Sequence, residues 1–195
     1  RKDKNCPAMA RSRRPLRPIT PEYLEKAALA YLERFASSAE NLSRVLMRRV
    51  ERAARAGISD RDEGRRLVDA LVARYRARGL LDDRLYAEGR ARSLHRQGRP
   101  RAEIARRLAA KGVASDDIDA AIESLSQDVA DVDLAAAVAF ARRRRIGPFR
   151  TNARDAYRDR DLAALGRAGF PYEIARRIME AESPAELEDM LAGEP

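Results

Sequence analysis

The chain has 195 residues, of which 36% are charged and 5% aromatic, with one cysteine, one histidine and no tryptophan. This inventory excludes an intrachain disulfide, and it excludes a zinc site of Cys and His, which needs about four ligands. The net charge is +9, and no uncharged run reaches the roughly 18 to 20 residues that cross a bilayer. Because alanine, leucine, arginine and glutamate favour helix, we expect an all-α protein. The single cysteine and the lack of a long uncharged run lead us to expect a cytoplasmic protein without a membrane segment.

Residues 1–20 are predicted to form a disordered basic tail. They carry seven basic residues and one acidic residue, and residues 1–18 contain three prolines without an apolar period. A tail of this kind makes nonspecific contacts with polyanions or only adds solubility.

Residues 21–81 are predicted to form a first three-helix repeat. Thr20 caps a helix that opens with Pro21, a second helix spans about 39–56, and a third spans about 60–79. The apolar positions that set the helical period are Leu24, Ala28, Tyr31, Leu32, Phe35, Leu42, Leu46, Val50, Leu67, Leu71, Val72 and Tyr75.

Residues 82–128 are predicted to form a second repeat. Asp82 caps its first helix, Pro100 opens its second, and Ser115 or Asp116 caps its third. The first helix carries Leu85, Tyr86 and Leu94. The positions expected to face inward on the other two helices are Ile104, Leu108, Ile118, Ile122 and Leu125.

Residues 129–182 are predicted to form a third repeat, followed by a C-terminal tail over 183–195. Gly147-Pro148 is expected to end its first helix. Its apolar markers are Leu134, Val138, Ile146, Tyr157, Leu162, Leu165, Ile174 and Ile178.

Two segments support internal repetition. Residues 108–113 and 165–170 share the pattern Leu-x3-Gly-apolar, and each is followed by a pair of isoleucines four residues apart. Three tandem three-helix repeats should stack into an elongated, curved array with an extended surface for a partner.

The sequence contains few motifs that indicate catalysis or the binding of a cofactor. The chain has neither a phosphate-binding Gly-x4-Gly-Lys-Ser/Thr loop nor a dinucleotide-binding Gly-x-Gly-x-x-Gly motif. We expect His95 to be an ordinary helical histidine and the acidic pairs to stabilise helix starts rather than bind catalytic metals. These pairs are Asp82-Asp83, Asp116-Asp117 and Asp159 with Asp161. We therefore expect no enzyme activity and no cofactor.

A helix-turn-helix that reads duplex DNA is the next alternative. Residues 104–122 have a similar apolar pattern, but the turn is too long for the compact motif. The recognition helix would also open with Asp116, Asp117 and Asp119, which would face phosphates with negative charge. Sequence-specific duplex binding is therefore not expected.

Charge is segregated along the body of the chain. Residues 84–111 hold nine basic and two acidic residues, whereas 113–137 hold seven acidic and no basic residues. A second cationic band over 142–160 precedes an acidic segment over 161–195. Few aromatics flank the bases, so an acidic protein surface or a nucleoprotein fits better than a stacking single-strand binder. The candidate partner contacts are Arg92, Arg96, Arg99, Arg101, Arg106, Arg107, Lys111, Arg142, Arg143, Arg144, Arg145 and Arg150.

Four segments within about residues 21–182 resemble the RecX family of recombinase regulators. They are AxxYLxRF at 28–35, GLLDDRLYA at 79–87, GRPRAEIARRLAAKGV at 98–113 and RRRRIGPF at 142–149. The first unit and the basic tail are longer than in the shortest family members.

The resemblance implies three helical repeats that bind in the groove of the RecA filament on single-stranded DNA. It also implies inhibition of strand exchange, ATP hydrolysis and co-protease activity, with no active site and no cofactor in the protein itself. We expect a monomer, with direct weak binding of single-stranded DNA left open. The alternative is a nonspecific nucleic-acid-binding helical protein that acts without a recombinase.

Overall fold

The computed structural model describes residues 16–127 and 131–192, and all regular structure in these ranges is helical, as predicted. Disorder is predicted for the basic tail over residues 1–20, and of these only residues 16–20 lie in the described part. The α-helices are α1 Pro21–Leu32, α2 Ala39–Arg55, α3 Arg61–Ala77, α4 Asp83–Arg96, α5 Arg101–Ala109, α6 Ser115–Ser126, α7 Val132–Arg144, α8 Arg158–Ala168, α9 Tyr172–Glu180 and α10 Pro184–Ala192. Two short 3₁₀ helices, Gly147–Phe149 and Asp155–Tyr157, lie between α7 and α8.

Local capping chemistry explains why several boundaries could be predicted within one or two residues. The side chains of Thr20, Asp60 and Asp82 each accept a hydrogen bond from the backbone N–H three residues later. Each bond satisfies one of the amide groups that a helix start leaves without a partner, which stabilises the helix by about 1 kcal/mol.

The predicted boundaries of α6 and α7 were wrong. The N-cap of α6 is Ala114, without a side-chain cap, and Ser115 is already the first helical residue. Helix α7 ends before Gly147-Pro148, because Arg145 takes a left-handed conformation with φ of 54°. Ile146 lies beyond the helix but is still buried.

The predicted C-terminal tail contains a helix. Ser183 accepts a hydrogen bond from the backbone N–H of Glu186 over 3.2 Å, and Pro184 begins α10. Leu187 on this helix is fully buried in the same core as α7 and α9. The segment up to Ala192 therefore packs with α7 and α9 rather than forming a separate tail.

Each group of helices has its own apolar core. One cluster fills α1–α3 around Leu42, Leu46 and Tyr75, and a second fills α4–α6 around Leu94 and Leu108. The third cluster lies among α7, α8, α9 and α10. The repeat boundaries at 81/82 and 128/129 stay predictions, the second of them lying in residues outside the described ranges.

Carboxylates join consecutive groups by capping a helix of the preceding one. Asp83, the first residue of α4, accepts a hydrogen bond from the backbone N–H of Ala39, the first residue of α2, over 2.7 Å. Asp133 in α7 does the same for Arg101, the first residue of α5, over 2.8 Å. The same contact therefore recurs at both junctions.

Close backbone packing accompanies these caps. Gly112, after α5, has φ of +74°, and a Cβ atom there would lie 2.2 Å from Cγ of Glu40 in α2. A Cβ on Gly98, after α4, would lie 2.7 Å from the backbone nitrogen of Phe140 in α7. Both junctions therefore require a residue without a side chain.

Candidate interaction surface

Arg99 and Arg107, two of the predicted partner contacts, share the carboxylate of Glu103 in α5. Nη1 of Arg99 lies 3.2 Å from Oε1 of Glu103, and Nη2 of Arg107 lies 2.6 Å from the same oxygen. The spacing of four residues on either side of Glu103 brings the three side chains together. Glu103 is 8% exposed, so these two arginines neutralise a nearly buried charge.

The environment of Glu103 favours its ionised form. Burial opposes ionisation, but the hydrogen bond from Arg107 and the positive charges of Arg99 and Arg107 outweigh it and lower the pKa of Glu103. The cluster is therefore an ion triad at neutral pH and carries a net positive charge.

Arg101 and Lys111 lie at the two junctions between groups. Besides its backbone bond, Arg101 donates from Nε to Oδ2 of Asp133 over 3.1 Å. Lys111 donates from Nζ to Oδ1 of Asn41 over 3.1 Å, and its carbonyl oxygen accepts a bond from Ser38. Both side chains are exposed, but each already forms a hydrogen bond to a residue of a neighbouring group.

Arg150 and Arg142, two predicted contacts in the third group, differ in how far they are engaged by acidic side chains. Arg150 makes a two-point ion pair with the buried Asp161, at 2.7 Å and 3.0 Å, and its guanidinium lies 4.4 Å from the ring centre of Tyr157. The hydrogen bond to Asp161 raises the pKa of Arg150 above its ordinary value. Arg142 pairs with Glu188 of α10 at the surface. The guanidinium of Arg150 is therefore occupied by contacts within the third group, whereas Arg142 keeps most of its surface in solvent.

The remaining predicted contacts are open to a partner. Arg92 has only a long pair with Glu88, at 3.8 Å, and such exposed pairs contribute about 0 to 1 kcal/mol. Five of the predicted contacts are exposed arginines that have no ion pair among the described residues, and we call them the unpaired arginine set. They are Arg96, Arg106, Arg143, Arg144 and Arg145.

His95 contacts the backbone of the next group of helices. Nε2 of His95 lies 2.8 Å from the carbonyl oxygen of Val132, which places this histidine at the junction between α4 and α7. Within residues 16–127 and 131–192, no group of three or more His, Cys, Asp or Glu side chains has metal-site geometry. No helix in these ranges is long and apolar enough to cross a membrane.

A groove between the first two groups, lined by apolar and basic residues, was missed by the sequence analysis. It encloses about 760 Å³ between the end of α1, the α3–α4 turn and α4. We call it the α1–α4 groove. Phe35, Leu80 and Leu85 line it and are 51%, 55% and 67% exposed. Leu85, an apolar residue of the predicted second repeat, therefore lies outside its core.

The sequence did contain a signal for this exposure. The buried stripe of α4 runs through Ala87, Ala91 and Leu94. Leu85 lies two residues before Ala87 and therefore about 200° away around the helix axis. The stripe with two small alanines marks the buried face of α4, although Leu85 is larger and more apolar than either alanine.

Comparisons with known proteins agree with this arrangement of helices. Residues 82–122 match the family described as RecX, second three-helix domain, a segment that covers α4, α5 and most of α6. A regulatory protein RecX from Myxococcus xanthus (strain DK1622) is 41% identical over 179 residues, which span 90% of this chain and 95% of the relative. The chain belongs to the RecX family of regulatory proteins.

Two further RecX proteins extend the comparison. A regulatory protein RecX from Agrobacterium fabrum (strain C58 / ATCC 33970) is 39% identical over 116 residues, 59% of each chain. The crystal structure of a regulatory protein RecX has a TM-score of 0.56 at 20% identity, covering 83% of this chain and 72% of that one. This structural likeness supports the RecX fold.

Proposed function

We propose that this protein binds the RecA filament on single-stranded DNA and inhibits its strand-exchange, ATPase and co-protease activities. The observation that carries the proposal is the 41% identity to a regulatory protein RecX over nearly the whole of both chains. Helical groups joined end to end suit a partner that is itself a helical polymer, because each group can contact a successive part of the filament.

The junctions between groups support a role for the array as a unit. The caps from Asp83 and Asp133, together with the close contacts at Gly98 and Gly112, recur where one group meets the next. Groups held in this way present their surfaces at fixed spacings, which lowers the ordering cost of binding an extended partner.

The unpaired arginine set supplies the charge for a nucleoprotein. Arg96 and Arg106 lie in the second group, and Arg143 to Arg145 lie at the end of α7 in the third. A filament of protein on DNA offers both phosphates and carboxylates, and arginine binds both with two parallel hydrogen bonds. Arg99, Arg107 and Arg150 contribute less directly, since they already hold internal acids.

Direct binding distinguishes this proposal from nonspecific nucleic-acid binding. The probe is a labelled single-stranded oligonucleotide, either bare or coated with the cognate recombinase and a slowly hydrolysed ATP analogue. We expect affinity for the filament to exceed that for bare DNA by about ten-fold or more, with a weaker dependence on salt. Equal affinities that fall together as salt rises would support the nonspecific binder instead.

Charge variants locate the binding face. R96E/R106E should weaken filament binding by about ten-fold or more, because two exposed cations become anions. R65E/R66E is the matched control, since Arg65 and Arg66 are also exposed and without ion pairs in the described residues. Equal loss of affinity in both variants would show that only total charge matters.

A further inference from the structure

The α1–α4 groove combines exposed apolar side chains with a basic rim. Single exposed hydrophobic residues are common on proteins, whereas several that line one groove make it a candidate binding surface. Of the eight large hydrophobic residues that are exposed in the described part of the chain, three line this one groove: Phe35, Leu80 and Leu85. Their clustering indicates that something covers them in the functional complex.

The floor of the groove is held in place by a polar network. Nδ2 of Asn41 donates to the Tyr31 hydroxyl over 3.0 Å and to Oγ of Ser37 over 2.7 Å. Its Oδ1 accepts from Lys111. The ring centre of Tyr31 lies 5.2 Å from that of Phe35. The groove is therefore preformed, because residues of α1, α2, the loop between them and the turn after α5 fix its floor.

The charge around the groove is positive. Arg34, Arg90 and Lys111 line it, and Asp82 is its only acidic lining residue in the described part of the chain. Oδ1 of Asp82 is already engaged in capping the N-terminus of α4 through the Leu85 amide. An occupant should therefore carry negative charge beside its apolar group.

A protein segment fits this chemistry better than a nucleobase. Stacking of bases needs open aromatic faces, and two of the three exposed apolar residues are leucines. The ring of Phe35 already contacts Tyr31, and the guanidinium of Arg34 lies 5.6 Å from its centre. A groove lined by leucines and a phenylalanine instead suits an apolar side chain inserted from a peptide.

We propose that the α1–α4 groove docks a segment of the recombinase that presents a bulky apolar side chain flanked by carboxylates. This proposal rests on the proposed function and names the part of the partner that is recognised. The apolar side chain packs against Leu80, Leu85 and Phe35, while the carboxylates meet Arg34, Arg90 and Lys111.

The double variant L80S/L85S tests the groove. Both leucines are more than half exposed, so the helices should form normally, which circular dichroism and the unfolding midpoint check. We expect affinity for the recombinase-coated oligonucleotide to fall about ten-fold or more, with affinity for the bare oligonucleotide unchanged. L29S/I58S is the matched control outside the groove, at 45% and 38% exposure, and should bind like the wild type.

Each outcome has a separate meaning. Filament binding by L80S/L85S equal to that of the wild type overturns the groove proposal and leaves the proposed function standing. Loss of binding to bare DNA in this variant also overturns it and assigns the groove to nucleic acid. If the wild type itself does not prefer the filament, both proposals fall. In R90E, a loss of affinity that is largest at low salt supports the carboxylate part of the ligand.

Discussion

The carboxylate of Asp83 caps Ala39, a residue 44 positions earlier and in a different three-helix group. Asp82, its neighbour, caps its own helix α4. Two adjacent acids that look equivalent in the sequence therefore have different tasks, one within a group and one between groups.

Replacing Asp83 by alanine should destabilise the protein by about 1 kcal/mol, because the first amide of α2 loses its acceptor. D83N keeps an acceptor oxygen and should cost less. Urea unfolding measures both, and hydrogen exchange at the Ala39 amide reports the local effect. D69A removes an exposed acid for which no hydrogen bond or ion pair is found in the described residues, and it serves as the control. Equal stability of D83A and D69A would show that the inter-group cap contributes nothing.

Gly112 should tolerate a side chain less well than Gly79. Both have positive φ, at +74° and +70°, so alanine costs about 1 to 2 kcal/mol at either position. Only at Gly112 does the new Cβ also meet Glu40, whereas nothing lies within 4 Å at Gly79. We expect G112A to lower the free energy of unfolding by about 1 to 3 kcal/mol more than G79A. Identical losses in urea titrations would contradict the close packing of α2 against this turn.

The sequence predicted nine of the ten α-helices because their caps and apolar periods are local features. The start of helix α10 is also visible in the sequence, with Ser183, Pro184 and Glu186 in the order of a capped helix, although the predicted organisation places these residues in a tail. The contact from Asp83 to Ala39 could not be predicted, because it depends on how two groups pack. For the same reason, the charge pattern located the cationic segments but could not show that Arg99, Arg107 and Arg150 already pair with internal acids.

The ion triad of α5 should give the protein an acid-sensitive component of stability. The pKa of Glu103 is lowered in the folded state, so its contribution is present above the ordinary carboxyl pKa and is lost as pH falls through the folded value. At neutral pH, E103Q should cost about 1 to 3 kcal/mol, because Arg99 and Arg107 lose their shared charge partner.

Urea unfolding at neutral and acidic pH measures this component. The difference between wild type and E103Q should shrink as Glu103 of the wild type becomes protonated. E123Q changes an exposed acid with no ion pair in the described ranges and should stay within about 0.5 kcal/mol of the wild type. A difference between wild type and E103Q that does not change with pH would contradict the triad.

Arg150 should matter for folding more than for binding. R150A leaves the buried carboxylate of Asp161 without its two-point partner, so the unfolding midpoint should fall. R150K keeps the charge but not the paired geometry and should be intermediate. At temperatures where R150K is fully folded, its filament affinity should equal that of the wild type. A stable R150K that binds much more weakly would make Arg150 a partner contact after all.

The central claim is tested most directly by the single-stranded-DNA-dependent ATPase rate of the cognate recombinase as this protein is titrated in below the recombinase concentration. We predict inhibition at substoichiometric amounts that excess free DNA does not relieve, and R96E/R106E should require more protein for the same inhibition. An unchanged ATPase rate, or inhibition that disappears once free DNA is in excess, would contradict the account and leave a nonspecific nucleic-acid binder.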